Sequence, residues 1–400
     1  MIDGWKEIRL GDVGTVITGK TPKTNNELNF GFDYLFITPR DFNGEKYITK
    51  TERMVSTSGL SSIKSSELQE CSICITCIGS NMGEVAMIKT KAVTNQQINS
   101  ISNIDIKLFY PDYVYYALKG YKKYFKRITG GSALPILNKN YFSDVKISLP
   151  PLPEQKSIAF IFSSLDSKIE NLRQQNQTLE KIAQTLFKHW FVDFEYHNEQ
   201  GKPYKSSGGK FIDSDLGPIP EGWRIFEFRE LIKFIKGKKP KETLLSKKEN
   251  YLPQILINTF DGGTSLYALN KNVVLADESD LIMVMDGASS GRIEFGYNGI
   301  IGSTLSLLEI EKNIKSLLYF FLKNMEKDIK ENTTGSAIPH TDKERVYNYT
   351  ITLPKSGLYN FEDIFNTFRK KIIFNRSQIQ ILTKTRDTLL PKLMSGEIRI

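Results

Sequence analysis

The feature that most constrains this chain of 400 residues is that it states one plan twice, so an internal repeat is fixed before any single element is assigned. Trp5 opens Trp-x4-Leu10-Gly11-Asp12 and leads to Gly19-Lys20-Thr21-Pro22; Trp223 opens a similar run through Leu231 to Gly237-Lys238-Lys239-Pro240. Ile78-Gly79-Ser80-Asn81-Met82-Gly83 is echoed by Asp286-Gly287-Ala288-Ser289-Ser290-Gly291, and Thr129-Gly130-Gly131-Ser132-Ala133 by Thr333-Thr334-Gly335-Ser336-Ala337. Both copies then reach Leu-Pro, at Leu149-Pro150 and Leu353-Pro354, and both finish in a long helical pattern. Five landmarks in one order are not chance. The chain therefore reads as a domain over residues 1–150, a helix over 151–194, a polar linker rich in Gly, Pro, Ser and Lys over 195–222, a second domain over 223–355 and a second helix over 358–396.

Within each copy, short β-rich segments such as residues 34–38 and 72–76 are punctuated by Gly, Asn and Pro. One helix interrupts them, over 112–127 in the first copy and 314–330 in the second. After Pro153 the chain loses Gly and Pro for about forty residues and keeps a four-three apolar spacing through Ile158, Phe162, Leu165, Ile169, Leu172, Asn176, Leu179, Ala183, Leu186 and Trp190. The second stripe runs Phe361, Phe365, Phe368, Ile372, Asn375, Ile379, Leu382, Arg386, Leu389 and Leu393. A buried Asn in such a seam destabilises it unless another polar group meets it. A parallel pairing sets Asn176 against Ile379 and Asn375 against Leu172. An antiparallel one brings Asn176 to Asn375 and small Ala183 to large Phe368. The expected class is α+β: two β-rich domains separated by two long helices packed as an antiparallel intramolecular coiled coil, about 50 Å long at 1.5 Å per residue. Homodimerisation through each helix alone is the alternative.

Composition narrows the function. Hydrophobic residues at 40 % and aromatics at 11 % support packed cores and exclude a disordered or collagen-like chain. Cys71, Cys74 and Cys77 offer no framework of spaced pairs, the N-terminus has no apolar signal core, and no stretch reaches the roughly 20 apolar residues of a membrane span, so a cytoplasmic location without membrane contact is expected. A net charge of +9 points to an acidic partner, nucleic acid first.

Several motifs carry a bland reading as well. Residues 14–21 satisfy the phosphate-cradling Gly-x4-Gly-Lys-Thr pattern, but Thr-Val-Ile-Thr prefers a strand, Pro22 follows in place of a helix, and the second copy lacks the first glycine and the hydroxyl. The cysteines lie in an apolar strand with no fourth ligand near, so no metal is expected. His189, His197 and His340 are scattered. No Asn/Asp-Pro-Pro-Tyr/Phe loop, glycine-rich cofactor turn or nuclease carboxylate pair is present, so no catalytic residue is assigned. What remains is polar and basic loop chemistry, presented twice. The candidate DNA-contacting residues are Lys20, Thr21, Lys23, Arg40, Asp41, Ser80, Asn81, Gln96 and Gln97 in the first copy, with Lys236, Lys238, Lys239, Lys241, Ser289, Ser290 and Arg292 in the second. The run Lys119–Arg127 adds a basic stretch with interleaved aromatics.

The order of Trp-x4-Leu-Gly-Asp, Gly-Lys-Thr-Pro, Ile-Gly-Ser-x2-Gly, Thr94-Asn95-Gln96-Gln97 and Leu149-Pro150-Pro151-Leu152-Pro153-Glu154-Gln155-Lys156 resembles the specificity subunit of type I restriction-modification enzymes. Leu216-Gly217-Pro218-Ile219-Pro220-Glu221-Gly222-Trp223 resembles that family's approach to its second recognition domain, while Lys355-Ser356-Gly357-Leu358 departs from the helix start of copy one. The resemblance implies two target-recognition domains, each reading one half of a split double-stranded DNA sequence, with the helices setting the gap. It implies docking of two modification (methyltransferase) subunits and of motor nuclease subunits, with S-adenosylmethionine, ATP and Mg bound on those partners and no cofactor on this chain. Two readers suit the energetics: one site among about a million competitors needs roughly 8 kcal/mol of discrimination, at about 1–3 kcal/mol per base pair. The competing readings are a P-loop nucleotide hydrolase with a DNA-binding repeat and a non-enzymatic scaffold for RNA or an acidic protein.

Overall fold

The computed structural model describes residues 4–79, 81–128, 136–263, 265–310, 314–335, 337–356 and 358–400. It divides into two compact units, Met1–Asn171 with Ile379–Ile400, and Leu172–Gln378.

In the first unit a five-stranded sheet has the order Thr15–Thr18, Ile98–Ser102, Ile73–Thr76, Val85–Ile88, Tyr47–Ile48, and a three-stranded one has the order Arg53–Val55, Phe30–Ile37, Ala92–Thr94. Lys6–Arg9 pairs antiparallel with Lys146–Leu149, closing the domain on its own ends. Ile73–Thr76 is buried along its whole length, which is why it reads as a continuous apolar run instead of an alternating one. Ile73 and Ile75 pack among Tyr113, Tyr116 and Phe142, whereas Cys74 packs on the other face with Leu35 and Ile88. Burial pushes the thiols of Cys74 and Cys77 up to about 12, so both act as small hydrophobes; Cys71 is exposed. The helix expected over 112–127 is two, Pro111–Gly120 and Lys122–Ile128, broken where Gly120 offers little helix propensity and the Tyr121 N–H turns back to the Leu118 carbonyl at 2.9 Å.

The second unit repeats the centre of this wiring with different edge strands. Trp223–Glu227 pairs antiparallel with Thr350–Pro354. A four-stranded sheet runs Ile232–Lys236, Leu305–Ile310, Leu281–Val284, Ile293–Glu294, and a five-stranded one runs Thr243–Leu244, Tyr267–Leu269, Tyr251–Ile255, Gly299–Ile301, Leu275–Ala276. The one parallel pair of this second sheet, Tyr251–Ile255 with Gly299–Ile301, answers Phe30–Ile37 with Ala92–Thr94 in the first unit. The structure corrects one equivalence. The counterpart of Leu10 is Phe228, not Leu231: each starts a four-residue helix, each is fully buried, and their N–H groups donate to Val145 O at 2.9 Å and Tyr349 O at 2.8 Å.

The long helices are Leu152–Phe191 and Leu358–Met394, the first of 40 residues and about 60 Å at 1.5 Å per residue. Within the first unit they run antiparallel: Glu154 meets Arg399 at 3.3 Å and Asp166 meets Arg386 at 2.7 Å, while Ile158, Ala159 and Phe162 share a core with Leu390 and Leu393. Within the second they do so again, with Trp190 against Phe361 at 5.5 Å and Phe187 against Phe365 at 6.2 Å between ring centroids. Ala183, fully buried, shares that cluster with Phe368. Asn375 Nδ2 donates to Asn176 Oδ1 at 2.9 Å, and Asn375 is itself fully buried. Replacing Asn176 by Leu strands the buried Asn375 amide and is expected to cost about 1–3 kcal/mol, and replacing Asn375 by Leu, which leaves the half-buried Asn176, less. The double Leu variant is expected to lose clearly less than the sum in a denaturation cycle; strict additivity would show that the amides do not depend on each other.

Both helices also brace the domain helix that precedes them. Gln155, 1 % exposed, accepts from the Tyr110 N–H at 2.8 Å and donates to Leu108 O and Pro150 O. In the second copy, which lacks the Pro-Glu-Gln sequence, Glu362 accepts from the N–H groups of Ser316 and Leu317 at 2.8 and 2.9 Å, at the N-terminus of Lys315–Glu331. Carboxylates are favoured at that end of a helix.

Candidate nucleic-acid interface

Strand pairing decides which loops share an edge. In the first domain Thr18 lies opposite Asn99 and Thr76 opposite Ile98, so the turns after Thr15–Thr18 and Ile73–Thr76 leave at the same end as the loop before Ile98–Ser102. The parallel strands finish together at Ile37 and Thr94, where the Asn95 N–H donates to Ile37 O at 3.0 Å. One rim therefore collects the loops holding Lys20, Thr21 and Lys23, then Arg40 and Asp41, then Asn81, and then Gln96 and Gln97. Within it, the Thr21 hydroxyl donates to Gln96 Oε1 at 2.6 Å, Lys20 Nζ meets Ser65 Oγ at 3.0 Å and Asn95 Nδ2 donates to Gln97 Oε1 at 2.9 Å. Lys23, Arg40 and Asn81 are exposed. Ser80, residues 129–133 and Ser336 lie outside the described residues.

The second domain builds the same rim from the ends of Ile232–Lys236 and Leu281–Val284 and the start of Leu305–Ile310. Lys236, Lys238, Lys239 and Lys241 are exposed there, and Lys236 Nζ lies 4.0 Å from Asp286. The glycine that opens each basic loop is required by close packing. A Cβ on Gly19 would sit 2.2 Å from Asn95 O, and one on Gly237 would sit 2.1 Å from Gly302 O, because each chain leaves its strand pressed against neighbouring backbone.

Three of the sequence-derived candidates are spent internally. Ser290 is 2 % exposed and gives its hydroxyl to Gly287 O at 2.7 Å and Pro339 O at 2.8 Å; it takes the inward place of Met82 in a turn bounded by two left-handed glycines in either copy. The Asp41 carboxylate caps its own turn, accepting from the Thr38 N–H at 2.7 Å and the Glu52 N–H at 2.9 Å. Arg292 is held by Asp261 at 2.8 Å and Glu294 at 3.0 Å; burial works against its charge, but these carboxylates keep it raised. Ser289, half-buried, stands in the same turn with its carbonyl accepting from the Arg292 N–H at 3.0 Å. Of the aromatics in Lys119–Arg127, Phe125 is fully buried and Tyr121 packs against the core, leaving Tyr124 exposed, and Lys122 pairs with Glu84. The phosphate-loop look-alike is a strand, with Thr15–Thr18 committed to the ladder with Ile98–Ser102. Asp286 and His340 were not among the candidates, although their side chains meet on this rim at 2.7 Å. Their sequence signal was position alone: Asp286 opens one repeat landmark and His340 follows another, Thr333–Ala337.

The family described as type I restriction modification DNA specificity domain matches residues 2–181 and again residues 220–381. The type I restriction enzyme MjaIX specificity subunit of Methanocaldococcus jannaschii is 30 % identical over 425 aligned positions, covering 99 % of this chain and 94 % of that protein. The HindI specificity subunit of Haemophilus influenzae is 33 % identical over 178 positions, or 42 % of this chain and 38 % of that one. A crystal structure of a type I restriction-modification S subunit from M. genitalium shares the fold with a TM-score of 0.56 at 20 % identity, across 97 % of this chain and 96 % of that one. With both repeats matched and almost the whole length shared with a relative of that kind, the chain belongs to the specificity subunits of type I restriction-modification enzymes, and its repeats are their two recognition domains.

Proposed function

We propose that each rim reads one half of a bipartite duplex-DNA target and that the paired helices set the number of base pairs between the halves. The observation that carries this is the repetition of the rim: both domains place a glycine-opened loop with exposed lysines beside polar turns at equivalent strand ends. Lysines in such loops suit phosphates, which position the protein, while amides and hydroxyls suit base edges, which specify. The surrounding complex supplies the chemistry. Two modification subunits docked on the helices would methylate adenine from S-adenosylmethionine, and motor nuclease subunits would use ATP and Mg to translocate and cut. Among the described residues no helix is long and apolar enough to cross a membrane, which is compatible with action on cytoplasmic DNA.

The test is a domain exchange. Residues 1–150 are replaced by the corresponding domain of another specificity subunit, and the methylated sequence is determined genome-wide in cells that carry the hybrid with a modification subunit. One half of the recognised sequence is expected to change and the other half and the gap to persist. A change in both halves, or in neither, overturns the reading.

A further inference from the structure

At one place the two rims share a backbone frame and differ in chemistry. In the first domain Ile78 forms an antiparallel bridge with Ile136, locked by the Leu137 N–H donating to Cys77 O at 2.9 Å. In the second, Asp286 forms the equivalent bridge with His340, locked by the Thr341 N–H donating to Met285 O at 2.8 Å. Each bridge follows a core strand and precedes a left-handed glycine, Gly79 or Gly287. Each also sits beside the basic loop's neighbour: Cys77 N–H donates to Gln97 O at 2.8 Å and Met285 N–H to Thr304 O at 2.8 Å.

The side chains on these frames are unlike. Ile136 is 51 % exposed, a large aliphatic group, with Ile78 half-buried beside it. Neither contributes a hydrogen bond. Asp286 and His340 form a directed pair, Nδ1 to carboxylate at 2.7 Å, with the imidazole side chain 49 % exposed and Lys236 Nζ 4.0 Å from the other carboxylate oxygen. Gly335 leaves the space the ring occupies, since a Cβ there would stand 2.9 Å from His340 Cδ2. The carboxylate fixes which ring nitrogen carries the proton, so in a neutral ring of this half-exposed side chain Nε2 is the acceptor. The backbone behind it is held as well, with Pro339 O accepting from both the Gly287 N–H at 2.9 Å and the Ser290 hydroxyl at 2.8 Å.

We propose that this bridge is a specificity-determining position in each domain. Ile78 and Ile136 present an apolar face to a thymine methyl in one half-site. The Asp286-oriented His340 accepts from the exocyclic amine of an adenine or cytosine in the other, since these groups are what the major groove offers to an apolar surface and to an acceptor. The inference rests on the rims being the DNA-reading surfaces.

The experiment transplants the pairs in the full chain: Asp286→Ile with His340→Ile, and separately Ile78→Asp with Ile136→His. Bound sequences are recovered from randomised duplexes, with the chain alone and with a modification subunit. Each transplant is expected to relax or switch one base pair in its own half by about 5- to 150-fold and to leave the other half as in the parent. A parent with a split consensus and transplants that leave every position unchanged would overturn the assignment of the pair while sparing the DNA reading. A parent that selects no split consensus would overturn that reading, and the assignment with it. Should a transplant fail to unfold cooperatively, a single change at a half-exposed side chain serves in its place, Ile136→Gln in the first domain or His340→Gln in the second, with the same single-position change expected and an unchanged consensus counting against the proposal.

Discussion

Arg386→Ala is expected to destabilise the first unit by about 3–5 kcal/mol, far more than a substitution on a helix surface would. Arg386 occupies an apolar position of the second helix stripe, yet it is not a defect there. Its guanidinium reaches Asp166 at 2.7 Å, both side chains are about one-eighth exposed (14 % and 12 %), and the second carboxylate oxygen accepts from the Tyr116 hydroxyl at 2.8 Å. Burial, reinforced by the Asp166 charge, pushes the ionisation of that hydroxyl far up, so it remains a donor. Removing only the arginine leaves a buried carboxylate without its counter-charge. Removing the whole set, by Tyr116→Phe, Asp166→Leu and Arg386→Leu together, is expected to return stability to within about 1 kcal/mol of the parent, because apolar groups of similar volume avoid the desolvation cost. Urea denaturation measures both. A loss well under 1 kcal/mol for Arg386→Ala would show that water already screens the pair.

Gly237→Ala and Gly19→Ala are expected to silence one rim each. The added methyl of the first would meet Gly302 O at 2.1 Å and Ile301 O at 2.6 Å, and that of the second would meet Asn95 O at 2.2 Å and Thr94 O at 2.3 Å. These are backbone atoms with no rotamer to change, so the strand end must move, at about 1–3 kcal/mol or more. The basic loop moves with it. On a duplex carrying both half-sites, protection from nuclease digestion is expected to vanish over one half and persist over the other, in opposite halves for the two variants. Loss over both halves from either glycine would show that the loops do not act separately.

What the chain revealed before folding, and what it withheld, follow from physics at particular residues. The repeat, the two helix stripes and the Asn176–Asn375 contact were legible because each depends on spacing: a lone polar residue in a heptad seam demands a partner at one register only. The rim was legible as a set of loops but not as a set of side chains. Asp41 and Arg292 look free in sequence and are committed to a cap and to two carboxylates. Ser290 looks like a hydroxyl offered to solvent, but the turn between Gly287 and Gly291 rotates it inward where the first copy has Met82. The run after Lys119 looks like a basic surface in sequence, yet only Lys123, Lys126 and Arg127 of its cations are exposed, Lys119 and Lys122 are half-buried, and Tyr121 and Phe125 belong to the core. Such losses share a cause. Turn geometry, set by left-handed glycines and long-range bridges, decides the direction of a loop side chain, and residue type alone does not.

The first unit is assembled from two distant stretches of chain, Met1–Asn171 and Ile379–Ile400, and Leu390 and Leu393 complete its core. On the ribosome this has a temporal cost. Between Asn171 and Ile379 the whole of the second unit must be synthesised, which at about 5–20 residues per second occupies roughly 10–40 s. For that interval the nascent first domain holds Ile158, Ala159 and Phe162 ready for a helix that does not yet exist. The second unit, contiguous from Leu172 to Gln378, has no such wait. The order of maturation is thus the reverse of the order of translation, and a chaperone would find its client at the end made first.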